Sequence, residues 1–208
     1  MKFLDEEQVN RLLETARESD HLYYALIYTA VVTGMRQGEL LALKWENIDL
    51  EKGIVQVKHN LKRLPGGGLA LKAPKTKSSI RAIRLGAKSV AVLQEHKARL
   101  SQEEAKHNGL WQETDFVFTS TIGTPIDPSN LIRQFRQLLK QAGLPKIRFH
   151  DLRHTAASLM LSNGVEVLAA SQRLGHAKPS ITLDVYGHLM PSLQDKAAEA
   201  MDGLIDRD

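Results

Sequence analysis

The 208-residue chain has no cysteine, which excludes disulfides and thiolate metal sites. A chain without thiols fits a reducing cytosol. It also lacks any apolar run near the roughly 20 residues that a helical membrane span requires. Its opening, Met1-Lys2-Phe3-Leu4-Asp5-Glu6-Glu7, turns acidic where a signal peptide would need an apolar core. There is no Walker loop and no carboxylate cluster, the usual apparatus of nucleotide-driven and two-metal phosphoryl chemistry. No internal repeat or low-complexity segment occurs. Between positions 58 and 88 there is not one Asp or Glu.

What fills that acid-free stretch is basic: Lys58, Lys62, Arg63, Lys72, Lys75, Lys77, Arg81, Arg84 and Lys88. The formal net charge is only +4, so the asymmetry says more than the total. Charge alone leaves two readings level, a polyanion held on one face and a lysine-rich solvated hairpin. The apolar and charged fractions are ordinary, and the length allows one sizeable core or two small ones.

The periodicity predicts a fold that is mainly α with a small antiparallel β-sheet (α+β). Asp5 caps an amphipathic helix carrying Val9, Leu12, Leu13 and Ala16. Residues 22–33 read as a buried helix stopped by Gly34, and Met35 opens a short helix. The period then shifts to two around Ile54, Val55 and Val57, around Leu69 and Leu71, and around Ile80, Ile83 and Leu85. These predict one three-stranded antiparallel sheet with its basic side chains outward. Helix returns at 89–100. Phe116-Val117-Phe118 is a short extended piece, and Pro125 and Pro128 bracket a loop. Helices are predicted at 130–142, 150–162, 165–174, 181–189 and 193–204, with Gly143, Asn163-Gly164 and Gly175 as stops.

Three constellations carry chemistry. In Thr33-Gly34-Met35-Arg36-Gln37-Gly38-Glu39-Leu40, Arg36 stands at a helix start, where it suits a phosphate or simply pairs with Glu39. In His150-Asp151-Leu152-Arg153-His154, positions 150 and 153 share a helix face and offer a proton shuttle beside a phosphate clamp. His150 and His154 also have the spacing of metal ligands, but the glutamate of a zinc-protease helix is missing. The third is Leu174-Gly175-His176 followed by Tyr186-Gly187-His188. A lone tyrosine on a short helix is ordinarily a core residue with its hydroxyl bonded.

Taken together, T-G-M-R-Q-G-E-L, P-K-T-K-S-S, H-D-L-R-H-T, L-G-H and T-L-D-V-Y-G-H, in this order, resemble the tyrosine recombinase or phage-integrase family. The resemblance runs from about Leu4 to about Leu193. It implies a catalytic-domain fold of that family and a DNA-cleaving and rejoining enzyme. Arg36 and Arg153 then correspond to the arginines on the scissile phosphate, and Lys75 to the lysine that protonates the leaving 5′ oxygen. Lys72 and Lys77 stand within a register step of it. His150 corresponds to the proton-handling histidine, His176 to a phosphate-bonding position, Tyr186 to the nucleophile, and Glu39 to a supporting acid.

The implied product is a 3′-phosphotyrosyl bond, made with no metal, no ATP and no other cofactor. The partner is double-stranded DNA, with Lys72, Lys77 and Arg81 on its backbone and no membrane involved. A homo-oligomer, a tetramer on DNA joined through the tail, is expected. Residues 1–208 read as a single catalytic domain, with its core over about 4–190 and a tail helix in 191–208. The family's N-terminal DNA-binding domains are expected to lie outside this chain. A cytoplasmic, DNA-associated protein of a bacterium, phage or mobile element is the expected setting. Three other readings compete: a type IB topoisomerase, a binding-only relative lacking a catalytic residue, and a metal enzyme using His150, His154, His176 and His188.

Overall fold

The computed structural model describes residues 3–73, 80–107, 109–112, 114–187, 198 and 201–202. Helix α1 (Glu6–Ser19) begins as its cap predicts. The Asp5 carboxylate accepts from the Gln8 N–H at 2.8 Å, and the Gln8 side chain accepts from the Asp5 N–H at 3.1 Å. The helix buries Val9, Leu12 and Ala16. Helix α2 (His21–Thr33) is apolar on every face, so it can only sit inside, and it packs against α1, α4 and α6. Gly34 ends it at φ +64°, a left-handed turn that a side chain would strain. A Cβ there would also stand 2.5 Å from Leu174 Cδ2.

Helix α3 (Gln37–Leu41) follows, then a 3-10 turn over Trp45–Asn47. Strands β1 (Ile48–Asp49), β2 (Ile54–Val57) and β5 (Arg81–Arg84) form one antiparallel sheet in the order β1-β2-β5. Strands β3 (Asn60–Arg63) and β4 (Leu69–Lys72) form a separate ribbon. The single three-stranded sheet expected from the sequence is therefore divided in two. The reason is burial. β5 joins β2 because Ile83 lies opposite Val55 and both enter the core, whereas Leu61 is the only fully buried residue of the ribbon.

Helix α4 (Ala87–Lys106) runs further than its apolar pattern, because residues 101–106 are exposed and favour helix. Helix α5 (Pro128–Gln141) takes Pro128 into its first turn rather than a loop. Asp127 caps it, accepting from the Ser129 N–H at 2.7 Å. Helices α6 (Asp151–Ser162), α7 (Val167–Leu174) and α8 (Pro179–Tyr186) complete the order. Of the predicted tail helix, only Ala198, Met201 and Asp202 are among the described residues, and they are helical.

Two hydrophobic clusters result. The larger gathers α1 to α5 with β2 and β5. The smaller holds Ala157, Leu161, Ala170, Leu174 and Tyr186, with Met160, Val167 and Val185 against it. Helix α6 belongs to both, giving Leu152 to the first and Leu161 to the second. Among the described residues no helix is long and apolar enough to cross a membrane.

Candidate active site

The functional side chains gather where the two clusters meet. Arg36 is held at the start of α3 by Glu39. One carboxylate oxygen accepts the Arg36 N–H at 3.0 Å, and the other accepts Nη1 at 2.8 Å. Arg36 Nη2 reaches the Gly175 carbonyl at 3.4 Å, at the end of α7. The Arg36–Glu39 pair is thus real, yet it does not make Arg36 an ordinary surface residue. Glu39 is buried, and it also takes Arg81 Nη2 at 3.0 Å. Burial would raise the Glu39 carboxyl. Its bonds and charge attraction to Arg81, with the bonds from Arg36, win and hold it below the usual carboxylate range.

Arg81 departs from the sequence reading of outward-facing bases. Its side chain is only 7% exposed, and its Nε donates to the Arg173 carbonyl at 2.7 Å. The strand repeat carried the signal: Arg81 lies two residues before buried Ile83, so the two share the inward face. Gly175, at φ +71°, leaves room for it, since a Cβ there would meet the Arg81 side chain at 2.8 Å. Arg173, which the sequence reading passed over, clasps the Val32 carbonyl at 2.7 Å and the Arg84 carbonyl at 2.9 Å. That pins α7 to the end of α2 and to β5.

Arg153 projects from α6 and is buried. Its Nη1 donates to the Gly34 carbonyl at 2.8 Å, while Nη2 is buried without a partner among the described residues. Burial, then the charges of Arg36 and Arg81, lower its pKa to about 9, so it stays cationic at neutral pH. His176 lies in the same field, its Nδ1 bonded to Thr182 Oγ1 at 2.8 Å. Burial and the positive charges of Arg153, Arg36 and Arg81 lower it to about 4, which leaves a neutral imidazole.

Tyr186, at the end of α8, is buried in the smaller cluster, and its hydroxyl contacts His154 Nδ1. Burial pushes the phenol pKa up, and Arg153 pulls the other way. His150 stands one turn before His154, their rings edge-on with centroids 5.5 Å apart. It lies exposed at the mouth of a groove of about 670 Å³, which Gln37, Arg136, Lys146 and Arg148 also line. Asp151, bonded to the Arg148 guanidinium at 2.8 Å, fixes the first turn of α6 beneath it.

The structure therefore brings together Arg36, Arg153, His176 and Tyr186, with His150 at the edge. Lys75 and Lys77 lie outside the described residues. Lys72 is exposed at the end of β4. His154, weighed from sequence only as a metal ligand, instead meets the tyrosine. Among the described residues no group of three or more His, Cys, Asp or Glu is placed to hold a metal. His188 lies outside them.

Comparison with known proteins matches residues 2–192 to the phage integrase family. A "Tyrosine recombinase XerC-like" protein of Caldanaerobacter subterraneus subsp. tengcongensis is 35% identical over 96% of this chain and 53% of its own length. The ICEBs1 integrase of Bacillus subtilis is 31% identical over 99% of this chain and 55% of its own. The chain thus spans about half the length of these curated relatives. Among solved structures, XerA recombinase superposes with a TM-score of 0.70 at 28% identity, over all of this chain and 66% of that one. The Tn1549 transposon integrase bound to transposon right end DNA gives a TM-score of 0.80. At 23% identity, over 98% of this chain and 66% of that one, it supports the fold alone.

Proposed function

The chain belongs to the phage integrase family of tyrosine recombinases, and from that premise we propose that it is a catalytic domain that cleaves and rejoins DNA at a specific site. One observation carries the reading. The Tyr186 hydroxyl ends α8 within the field of Arg153, and Arg153 is buried with a guanidinium nitrogen unpartnered. A buried, unsatisfied cation beside a phenol is costly unless an anion completes it. A scissile phosphate would do so.

On this reading Arg36 and Arg153 neutralise the non-bridging oxygens, and preorganised donors of that kind each contribute several kcal/mol. Neutral His176 adds a hydrogen bond, and His150, at the groove, handles a proton. Lys75 would give the leaving 5′ oxygen its proton. Tyr186 becomes joined to the 3′ phosphate, and a free 5′ hydroxyl reverses the step, so ATP is unnecessary. Arg81 serves by fixing Glu39, which fixes Arg36. Lys72 and Lys77, with Lys62 and Arg63 on the ribbon, would follow the DNA backbone. The tail would dock on a neighbouring copy in a tetramer on DNA.

The test is a nicked suicide duplex carrying the core site, incubated in EDTA and resolved on a denaturing gel. A covalent adduct that vanishes with Tyr186→Phe is expected. An adduct that survives that substitution, or one that EDTA abolishes, would overturn the assignment. A relaxed plasmid product without strand exchange would favour the topoisomerase reading instead.

A further inference from the structure

The reading above gives proton handling to His150, yet the imidazole that touches the nucleophile is one turn further along α6. We infer that His154 is the proton acceptor for the Tyr186 hydroxyl, holding the phenol in position and taking its proton as the phosphorus bond forms. This rests on Tyr186 being the nucleophile.

The geometry is specific. His154 Nδ1 and Tyr186 Oη are in direct hydrogen-bond contact, with ring centroids 5.9 Å apart. Neither partner is free to wander. The α6 backbone is tied on both sides of His154: Arg153 bonds the Gly34 carbonyl, and Thr155 Oγ1 accepts from the Leu4 N–H at 3.1 Å. The Tyr186 ring is packed with Ala157, Leu161, Ala170 and Leu174. What remains for the hydroxyl to choose is its partner, and His154 supplies it. Burial lowers the His154 pKa, with Asp151 opposing and Arg153 assisting, so the ring is neutral at physiological pH and Nδ1 can accept.

The step balances as follows. The phenolic proton moves from Oη to His154 Nδ1, making an imidazolium. The oxygen's electron pair forms the bond to phosphorus. The bond from phosphorus to the 5′ oxygen breaks, and that oxygen leaves with its pair to be protonated by a separate acid, the role given above to Lys75. On rejoining, the imidazolium returns its proton to the departing phenolate. The bland alternative is that His154 merely satisfies the hydroxyl of a buried tyrosine.

Two measurements separate these. Nitrogen-15 NMR of the DNA-free chain should find His154 as the tautomer protonated at Nε2, with the Nδ1 signal moving in Tyr186→Phe. A proton resident on Nδ1 would overturn the inference, since that ring would donate to the tyrosine rather than accept. In the suicide-duplex assay His154→Gln keeps an acceptor near the hydroxyl but cannot take its proton. Cleavage should fall about 100-fold or more, with DNA affinity and melting temperature unchanged. The loss should persist on a duplex whose leaving oxygen is replaced by sulfur, because that atom needs no proton. Rescue by the sulfur duplex would place His154 on the leaving-group side, and cleavage at the wild-type rate would give it no role. Either outcome sinks the inference. If Tyr186→Phe itself still forms adduct, the nucleophile assignment fails first; if it does not, and His154→Gln cleaves normally, only this inference fails.

Discussion

Arg153 donates to the Gly34 carbonyl at 2.8 Å, joining α6 to the end of α2 through a contact between residues 119 positions apart. The bond fixes one edge of the guanidinium, while Nη2 on the other edge is buried without a partner among the described residues. The same burial makes the charge a burden on the free protein.

A base whose folded pKa is lowered to about 9, well below its ordinary value, costs stability wherever it is protonated in both states, and the cost fades only as pH rises through 9. At neutral pH that cost is on the order of several kcal/mol. Arg153→Met removes it and gives up one hydrogen bond, about 1–3 kcal/mol where an acceptor is stranded. Thermal denaturation should show a melting temperature equal to or above wild type, with cleavage reduced at least about 100-fold. A drop of several degrees would mean that Arg153 stabilises the fold after all.

Glu39 is the opposite case. Its carboxyl sits below its ordinary range despite burial, so its contribution is complete above pH 4.5 and is lost as pH falls through the lowered folded value. Glu39→Gln should cost about 3–5 kcal/mol at pH 7, as the loss of a buried ion-pair partner does. The gap from wild type should narrow in acid. Urea titrations at pH 7 and pH 3 would reveal a constant gap if the carboxylate charge were irrelevant.

His96 and His176 set a second pH response. Burial lowers His96 to about 4, and burial with three arginines does the same for His176. Unfolded histidines protonate first as pH drops below 6.5, so stability should decline between 6.5 and about 4. A single buried histidine gives a slope of roughly 1.4 kcal/mol per pH unit in that window. His96→Gln should flatten the curve. A slope unchanged in that variant would assign the acid response elsewhere.

The ribbon is expected to act through charge alone. Lys62 and Lys72 are exposed on it, and each phosphate contact removed should reduce the salt slope of DNA binding by about 1. Competition titrations with Lys62→Gln and Lys72→Gln, on specific and random duplexes, should weaken both alike. A selective loss on the specific duplex would point to base reading.

Much of this was legible in the chain itself. Asp5, Gly34 and Gly175 mark helix ends by local chemistry, which a sequence carries in full. Tyr186 and Arg153 were singled out by motif, and the fold places them near each other. The division of the strands was not legible, because only the pairing of Ile83 with Val55 decides that β5 leaves β4 for β2. Arg81 was misread for a related reason: a run of bases suggests solvent, and partners distant in sequence, Glu39 and the Arg173 carbonyl among them, are what let this arginine face inward. His154 had only the spacing of a metal ligand to mark it, and its contact with Tyr186 depends on where α8 packs.

A charge count gives these contacts a kinetic meaning. The charged groups whose fields reach Arg153 most strongly include Arg36 and Arg81, both cations, and the anion Glu39. With Arg153 itself, three positive charges and one negative leave an excess of two. A resting phosphodiester carries one negative charge and would leave half of that excess unmatched. A five-coordinate phosphorus carries two and would cancel it. On the proposed function, that excess matches a species that exists only at the top of the barrier, which is the condition for lowering it rather than merely holding DNA.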